Sequence, residues 1–144
     1  MKRPQVNIYT DGACSNGRGG WAASLYHGLE SLHLTGNEAN TTNNRMEMLA
    51  VIKALEVLTT GCEIDLYSDS QYVLEGVMAR AAIWKRTGWK TKKGDKVKNQ
   101  DLWEKILELK APHRIRTHWV KGHNGDINNE TVDSLAQLMR QKLP

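Results

Sequence analysis

The chain has 144 residues, a net charge of +4 and two cysteines. That length fits one domain, expected to span residues 1–144, and it can bury a core without disulfide staples. Cys14 and Cys62 show neither metal-site spacing nor a disulfide framework, no apolar run approaches the roughly 18 residues of a membrane span, and no apolar leader follows Met1, so a cytoplasmic protein away from membranes is expected.

Residues 6–9 alternate apolar and polar and predict a strand. Asp11 is expected at its exit, where Gly12 would permit a sharp turn. The run from 15 to 20 is rich in Gly and Asn and marks a turn. Residues 21–26 predict a second strand, and Leu32-His33-Leu34 lies in a third after the turn at His27-Gly28. These three can form an antiparallel meander. Asn44 and Glu47 have capping-box spacing, which places a helix start there. From 46 to 58 apolar residues dominate, so that helix should be largely buried, with Gly61 closing it.

Residues 64–67 predict a fourth strand ending at Ser68-Asp69. Ser70 then caps a helix through about residue 77. The next segment is basic: residues 80–98 hold eight Lys and Arg against the single acid Asp95. That is seven net positive charges, which leaves the rest of the chain at −3. Trp84 and Trp89 interleave with these charges, a pattern suited to a polyanion with stacking surfaces. Residues 101–109 predict a helix, 115–120 a fifth strand, and a Gly- and Asn-rich loop from 122 to 129 precedes a last helix. Asp133 is expected in its first turn. The order βββαβα…αβα implies an α/β fold: a five-stranded mixed sheet, antiparallel in its first three strands, flanked by helices.

Asp11, Glu47, Asp69 and Asp133 are four acids that each sit where a strand ends or a helix begins. Carboxylates at that kind of sheet edge can converge, and four together repel one another unless cations neutralise them. Hard oxygen ligands suit Mg²⁺ or Mn²⁺. Each acid alone also fits an ordinary structural role: a turn, a helix dipole, a cap or a solvated face. Their common placement favours a shared site.

The motifs Asp-Gly-Ala-Cys from 11, Thr-Thr-Asn-Asn-Arg-Met-Glu at 41–47, Ser-Asp-Ser-Gln-Tyr-Val at 68–73, Gly-Trp-Lys-Thr at 88–91 and Val-Lys-Gly-His at 120–123 resemble type 1 ribonuclease H, in its bacterial form with a basic protrusion. The resemblance runs from about residue 6 to 136. It implies a ribonuclease H-like fold and an endonuclease that cuts the RNA strand of an RNA–DNA hybrid, leaving 5′-phosphate and 3′-hydroxyl ends. It also implies two Mg²⁺ ions roughly 4 Å apart, with Mn²⁺ as a substitute. Asp11 would bridge both ions, Asp133 would help hold the one that activates water, and Glu47 and Asp69 the one at the leaving oxygen. His123 would assist proton transfer or product release.

By the same resemblance, Asn16, Asn44 and Gln71 would hydrogen-bond in the hybrid's minor groove. Thr42 and Asn43 would grip a DNA phosphate, and Trp84, Lys85 and Arg86 belong to the channel for the DNA strand. His113 and His118 match no motif and are expected to be structural or exposed. Three positions depart from the bacterial pattern: a shorter glycine turn after Cys14, Asn40 where Arg is common, and Arg80 where an aromatic often sits. The expected partner is the hybrid alone, bound by a monomer.

Overall fold

The computed structural model describes residues 2–122 and 125–144. The first three strands form the expected meander: β1 (Gln5–Ser15), β2 (Arg18–His27) and β3 (Glu30–Glu38), paired antiparallel. Asn16 and Gly17 alone connect β1 to β2, and both have positive φ. Asn-Gly is the pair that tolerates this, and its twist matches that of the flanking strands. β1 therefore does not stop at Asp11. It runs four residues further, and Gly12 pairs with Trp21 inside the ladder.

β4 (Glu63–Ser68) pairs parallel with β1, and β5 (Arg114–Trp119) pairs parallel with β4. The sheet order is β3-β2-β1-β4-β5. The parallel register of β1 with β4 ends at Tyr9 and Tyr67. Asp11 and Asp69 both lie just beyond it, at the carboxyl edge where α/β sheets commonly build sites.

One face of the sheet carries the main core. Val6, Ile8, Ala23, Leu25, Ile64 and Leu66 meet the apolar side of α1 (Asn43–Glu56) and, from α4 (Gln100–Lys110), Trp103 and Ile106. Arg45 of α1 ties the two helices together by donating to both oxygens of Asp101, at 3.0 and 2.8 Å. On the opposite face, α5 (Ile127–Gln141) sets Val132 and Ala136 against Ala13 and Ala22.

Helix starts differ from expectation in two places. α1 is capped by Thr42, whose Oγ1 accepts from Arg45 N at 3.2 Å, so Asn44 and Glu47 form no capping box. The helix ends at Glu56, before Gly61, which instead lies close against the Pro112 carbonyl. α5 is capped by Asp126, whose carboxylate accepts from Asn129 N at 2.9 Å. Asp133 thus lies in the second turn, not the first.

Ser70 caps α2 (Gln71–Glu75) as expected, through Val73 N. The helix does not end near residue 77. It continues through a π-helical turn (Gly76–Arg80) into α3 (Ala81–Arg86). A π turn leaves the carbonyl ladder irregular. Here the Lys110 ammonium donates to the Val77 carbonyl at 2.5 Å. Gly76 is required because a Cβ there would enter the Trp103 ring. After α3, Trp84, Trp89 and Val97 fasten the basic segment to the core, while Lys90, Lys92, Lys93, Lys96 and Lys98 stay exposed.

Beside α5, the second face of the sheet carries polar and aromatic side chains. Tyr9, Tyr67 and His118 stack across three strands at 4.4 and 4.6 Å between ring centres. Next to them Asp65 accepts from Arg116, His118 and Gln5, at distances of 2.6 to 3.0 Å.

Candidate active site

Four elements deliver the carboxylates. Asp11 comes from β1, Glu47 from the second turn of α1, Asp69 from the residue after β4, and Asp133 from α5. One helical layer thus supplies Glu47, the other Asp133, and the sheet edge supplies the pair between them. All four line one cleft of about 440 Å³, with Asn43, Cys14 and Ser15 on its walls. Ligand oxygens of Asp11, Glu47 and Asp69 lie within 4.8 Å of one another.

Local backbone makes this approach possible. A Cβ at Gly12 would strike the backbone of Met46 and Glu47, so only glycine lets α1 come this close to β1. The Gly12 N–H donates to Glu47 Oε1 at 2.5 Å, which fixes the carboxylate. Glu47 is held by this bond and not by a cap. On the other side, the Trp119 indole N–H donates to the Asp69 carbonyl at 3.2 Å, and Trp119 is itself 54% exposed.

The cluster is electrostatically costly as it stands. Asp11 is 3% exposed and Glu47 7%. Burial pushes the Asp11 carboxyl far above the usual carboxylate range, and neighbouring Glu47 and Asp69 push it further. Glu47 is raised to about 7, again chiefly by burial, while the Gly12 N–H pulls it partly back. Glu47 Oε2 is buried with no hydrogen-bond partner among the described residues. A buried, acceptor-only oxygen facing other carboxylates fits a hard divalent cation, and the donor set is entirely oxygen.

The remaining predicted residues divide. Asn43 joins the carboxylate cleft, and Thr42 and Asn44 flank it at the start of α1, both exposed. Asn16 sits exposed at the tip of the β1–β2 turn, next to Ser15 of the cleft wall. Gln71 opens α2 and lines a shallow depression with Thr117 and Trp119, outside the cleft. Trp84 lies in a separate groove of about 630 Å³ with Arg80, Thr87, Lys90 and Lys92. Its ring is half-buried beside Trp103, so it is a wall of that groove more than a free stacking platform. Lys85 and Arg86 lie in the last turn of α3, at the surface. Arg80 pairs with Glu75 at 3.6 Å. His123 lies outside the described residues. His113 and His118 are structural: His113 Nδ1 accepts from Cys62 N at 3.0 Å, and His118 meets Asp65. Both cysteines are free.

Two residues of the cleft went unnoticed in the sequence, Gln137 and Arg140. They follow Asp133 by four and seven positions, which puts all three on one helical stripe. That spacing was the available signal.

A mixed sheet of this order, with two buried and two half-buried carboxylates gathered at its edge from the strands and both helical layers, defines an α/β protein with an acidic cleft whose donor set suits a divalent cation. The chain matches the RNase H family over residues 3–141. It is 50% identical to ribonuclease H of Legionella pneumophila (strain Corby), across 96% of this chain and 99% of that one. It is 52% identical to ribonuclease H of Cupriavidus pinatubonensis, across 92% of each. Among solved structures it is similar to LC9-RNase H1, a type 1 RNase H with the type 2 active-site motif. That match has a TM-score of 0.87 and 27% identity, and it covers 98% of this chain and 74% of that one. The N-terminal RNase H domain of a Mycobacterium tuberculosis protein, solved as a fusion with maltose-binding protein, shares the fold at a TM-score of 0.76 and 23% identity, across 96% of this chain and 94% of that one. This chain belongs to the ribonuclease H family.

Proposed function

We propose that this protein is an endoribonuclease that hydrolyses the RNA strand of RNA–DNA hybrids, leaving 5′-phosphate and 3′-hydroxyl ends. The observation that carries the reading is the convergence of Asp11, Glu47 and Asp69 within 4.8 Å, with Asp133 in the same cleft. These four residues would hold two divalent cations, Mg²⁺ by the hardness of the ligands. Bound there, such ions supply charge neutralisation and a nucleophile at neutral pH for phosphodiester hydrolysis.

The chain's own groups account for binding and orientation. The free N–H groups at the start of α1, with Thr42 and Asn43 beside them, suit a phosphate. Asn16, Asn44 and Gln71 carry amides that can meet sugar hydroxyls and base edges in a wide minor groove. The groove of Trp84 and Lys90, with Lys85 and Arg86 at its margin, takes the DNA strand. His123 adds an imidazole able to take up or release a proton near neutrality. A Cβ on Gly122 would lie 3.2 Å from Asp69 Oδ2, so the chain passes the cluster immediately before His123. Among the described residues no helix is long and apolar enough to cross a membrane.

The test is cleavage of end-labelled RNA in a hybrid, beside duplex RNA, duplex DNA and single-stranded RNA, with Mg²⁺ and with EDTA. Cutting of the hybrid's RNA alone, abolished by EDTA, is expected, with the 3′ fragment shifting on phosphatase treatment. Cutting of duplex RNA at a similar rate, or undiminished cutting in EDTA, would overturn the reading.

A further inference from the structure

We propose that Arg140, braced by Gln137, is a positioning residue that grips a phosphate of the strand lying over the carboxylates, one or two nucleotides from the bond that is cut. The proposal rests on the hydrolase reading above.

Asp133, Gln137 and Arg140 form one stripe of α5, and all three line the carboxylate cleft. Of the described residues on that lining, Arg140 is the only basic one. Its Nε donates to Gln137 Oε1 at 3.0 Å. That bond fixes the stem of the side chain and leaves the two terminal nitrogens without a carboxylate partner among the described residues. The guanidinium fork is thus pre-oriented and unspent, in the geometry that receives a phosphate.

Position supports the same conclusion. Seven residues of helix separate Arg140 from Asp133 by about 10 Å along the axis. The guanidinium, held back toward Gln137, stands on the wall of the same cleft as the carboxylates. It lies where the next phosphates of a bound strand must run. Those phosphates pass a cleft wall that is otherwise acidic or neutral, so they need a compensating charge that cations at the cluster do not provide. The basic groove of residues 80–92 cannot serve them, because it forms a separate depression. Under the proposed function, the strand over the carboxylates is the RNA. A cation in the last turn of a helix also complements the helix dipole, and the experiment separates that purely structural role.

Hybrid binding is measured by fluorescence anisotropy in EDTA over a salt series, and cleavage by steady-state kinetics in Mg²⁺, for the native protein, Arg140→Gln and Arg140→Lys. Thermal melting runs alongside. Arg140→Gln should raise Kd and KM about fivefold, the scale of one partly exposed charge pair. It should make the salt slope shallower by about one, with kcat within about twofold of native. Arg140→Lys should recover the native slope. A native slope in Arg140→Gln, or a fall in melting temperature and kcat with Kd unchanged, would overturn the assignment of Arg140 while leaving the hydrolase reading intact. A native protein that neither binds nor cuts the hybrid would overturn the hydrolase reading and this inference with it.

Discussion

At the scale of single residues, the acids divide by burial, and that division sets their expected behaviour. Asp69 is less buried than Asp11 and Glu47, at the cleft's edge. Asp69→Asn keeps its shape and removes its charge. Cleavage should fall by roughly a thousandfold, the scale of losing one preorganised charge-stabilising group. Hybrid binding should persist, as read by gel shift; retained turnover would remove Asp69 from the site. Glu47 makes a prediction about stability without metal. Its folded-state pKa, about 7, lies above the ordinary carboxylate value. Folding therefore takes up a proton between about pH 4.5 and 7, and stability falls as pH rises through that window. Glu47→Gln keeps an acceptor for the Gly12 N–H and abolishes the charge. In EDTA at pH 8 it should melt several degrees higher than the native protein, yet be inactive in Mg²⁺. An equal or lower melting temperature in EDTA would show that the cluster carries no strain.

At the scale of elements, the contact between β1 and α1 is the tightest joint of the site. Gly12→Ala would push α1 off the sheet. A loss of about 2–4 kcal/mol in urea melts is expected, with activity reduced further because Glu47 moves with its helix. The joint between β4 and the edge strand β5 adds an electrostatic tie to its backbone ladder. Arg116, then His118 and Gln5, hold the Asp65 carboxyl down to about 2. Its contribution is complete above about pH 4 and is lost as pH falls toward 2. Arg116 and His118 are substantially exposed. Asp65→Asn should therefore cost only about 1–2 kcal/mol at pH 7 and almost nothing at pH 2. Equal costs at both values would rule out the ionic origin.

Strands and helices were readable from apolar spacing, because each buries one face. Their junctions were less so. The polar run Thr10-Asp11-Gly12 masks the continuation of β1, which the Asn16-Gly17 turn alone explains. Two capping patterns compete at 42–47, and Thr42 wins because it stands earlier, where the first free N–H groups are. The four carboxylates could be nominated only together, from their common placement, and their meeting point depends on both helical layers. The Asp65 network escaped notice because Arg116 and His118 alternate along β5 while Gln5 lies on β1, and only the sheet register sets Arg116 opposite Asp65.

At the scale of the whole molecule, charge is divided between two regions. The acids gather at the sheet edge, while the lysines of residues 90–98 stand on an arm anchored by Trp84, Trp89 and Val97. Neutralising Lys92, Lys93, Lys96 and Lys98 together should raise KM and flatten its salt dependence. The slope should change by about 0.9 for each phosphate that these side chains cease to neutralise. Steady-state cleavage from low to moderate salt checks this, and an unchanged slope would make the arm a bystander. Melting temperature should be untouched, since these side chains lie outside the core.

The cleft's acids stand far apart in the chain, from residue 11 to residue 133, on four separate elements. This has a consequence in time as well as space. Contacts between distant segments form only after their loop entropy has been overcome. α1 can dock on the meander while the rest of the polypeptide is still emerging, but Asp133 arrives only when α5 closes over β1 and β2. Until that last docking, the molecule holds a nearly complete core and an incomplete acidic cleft. Cleavage is therefore a reporter of the finished fold, and any partly folded form that keeps the core without α5 should be silent on RNA.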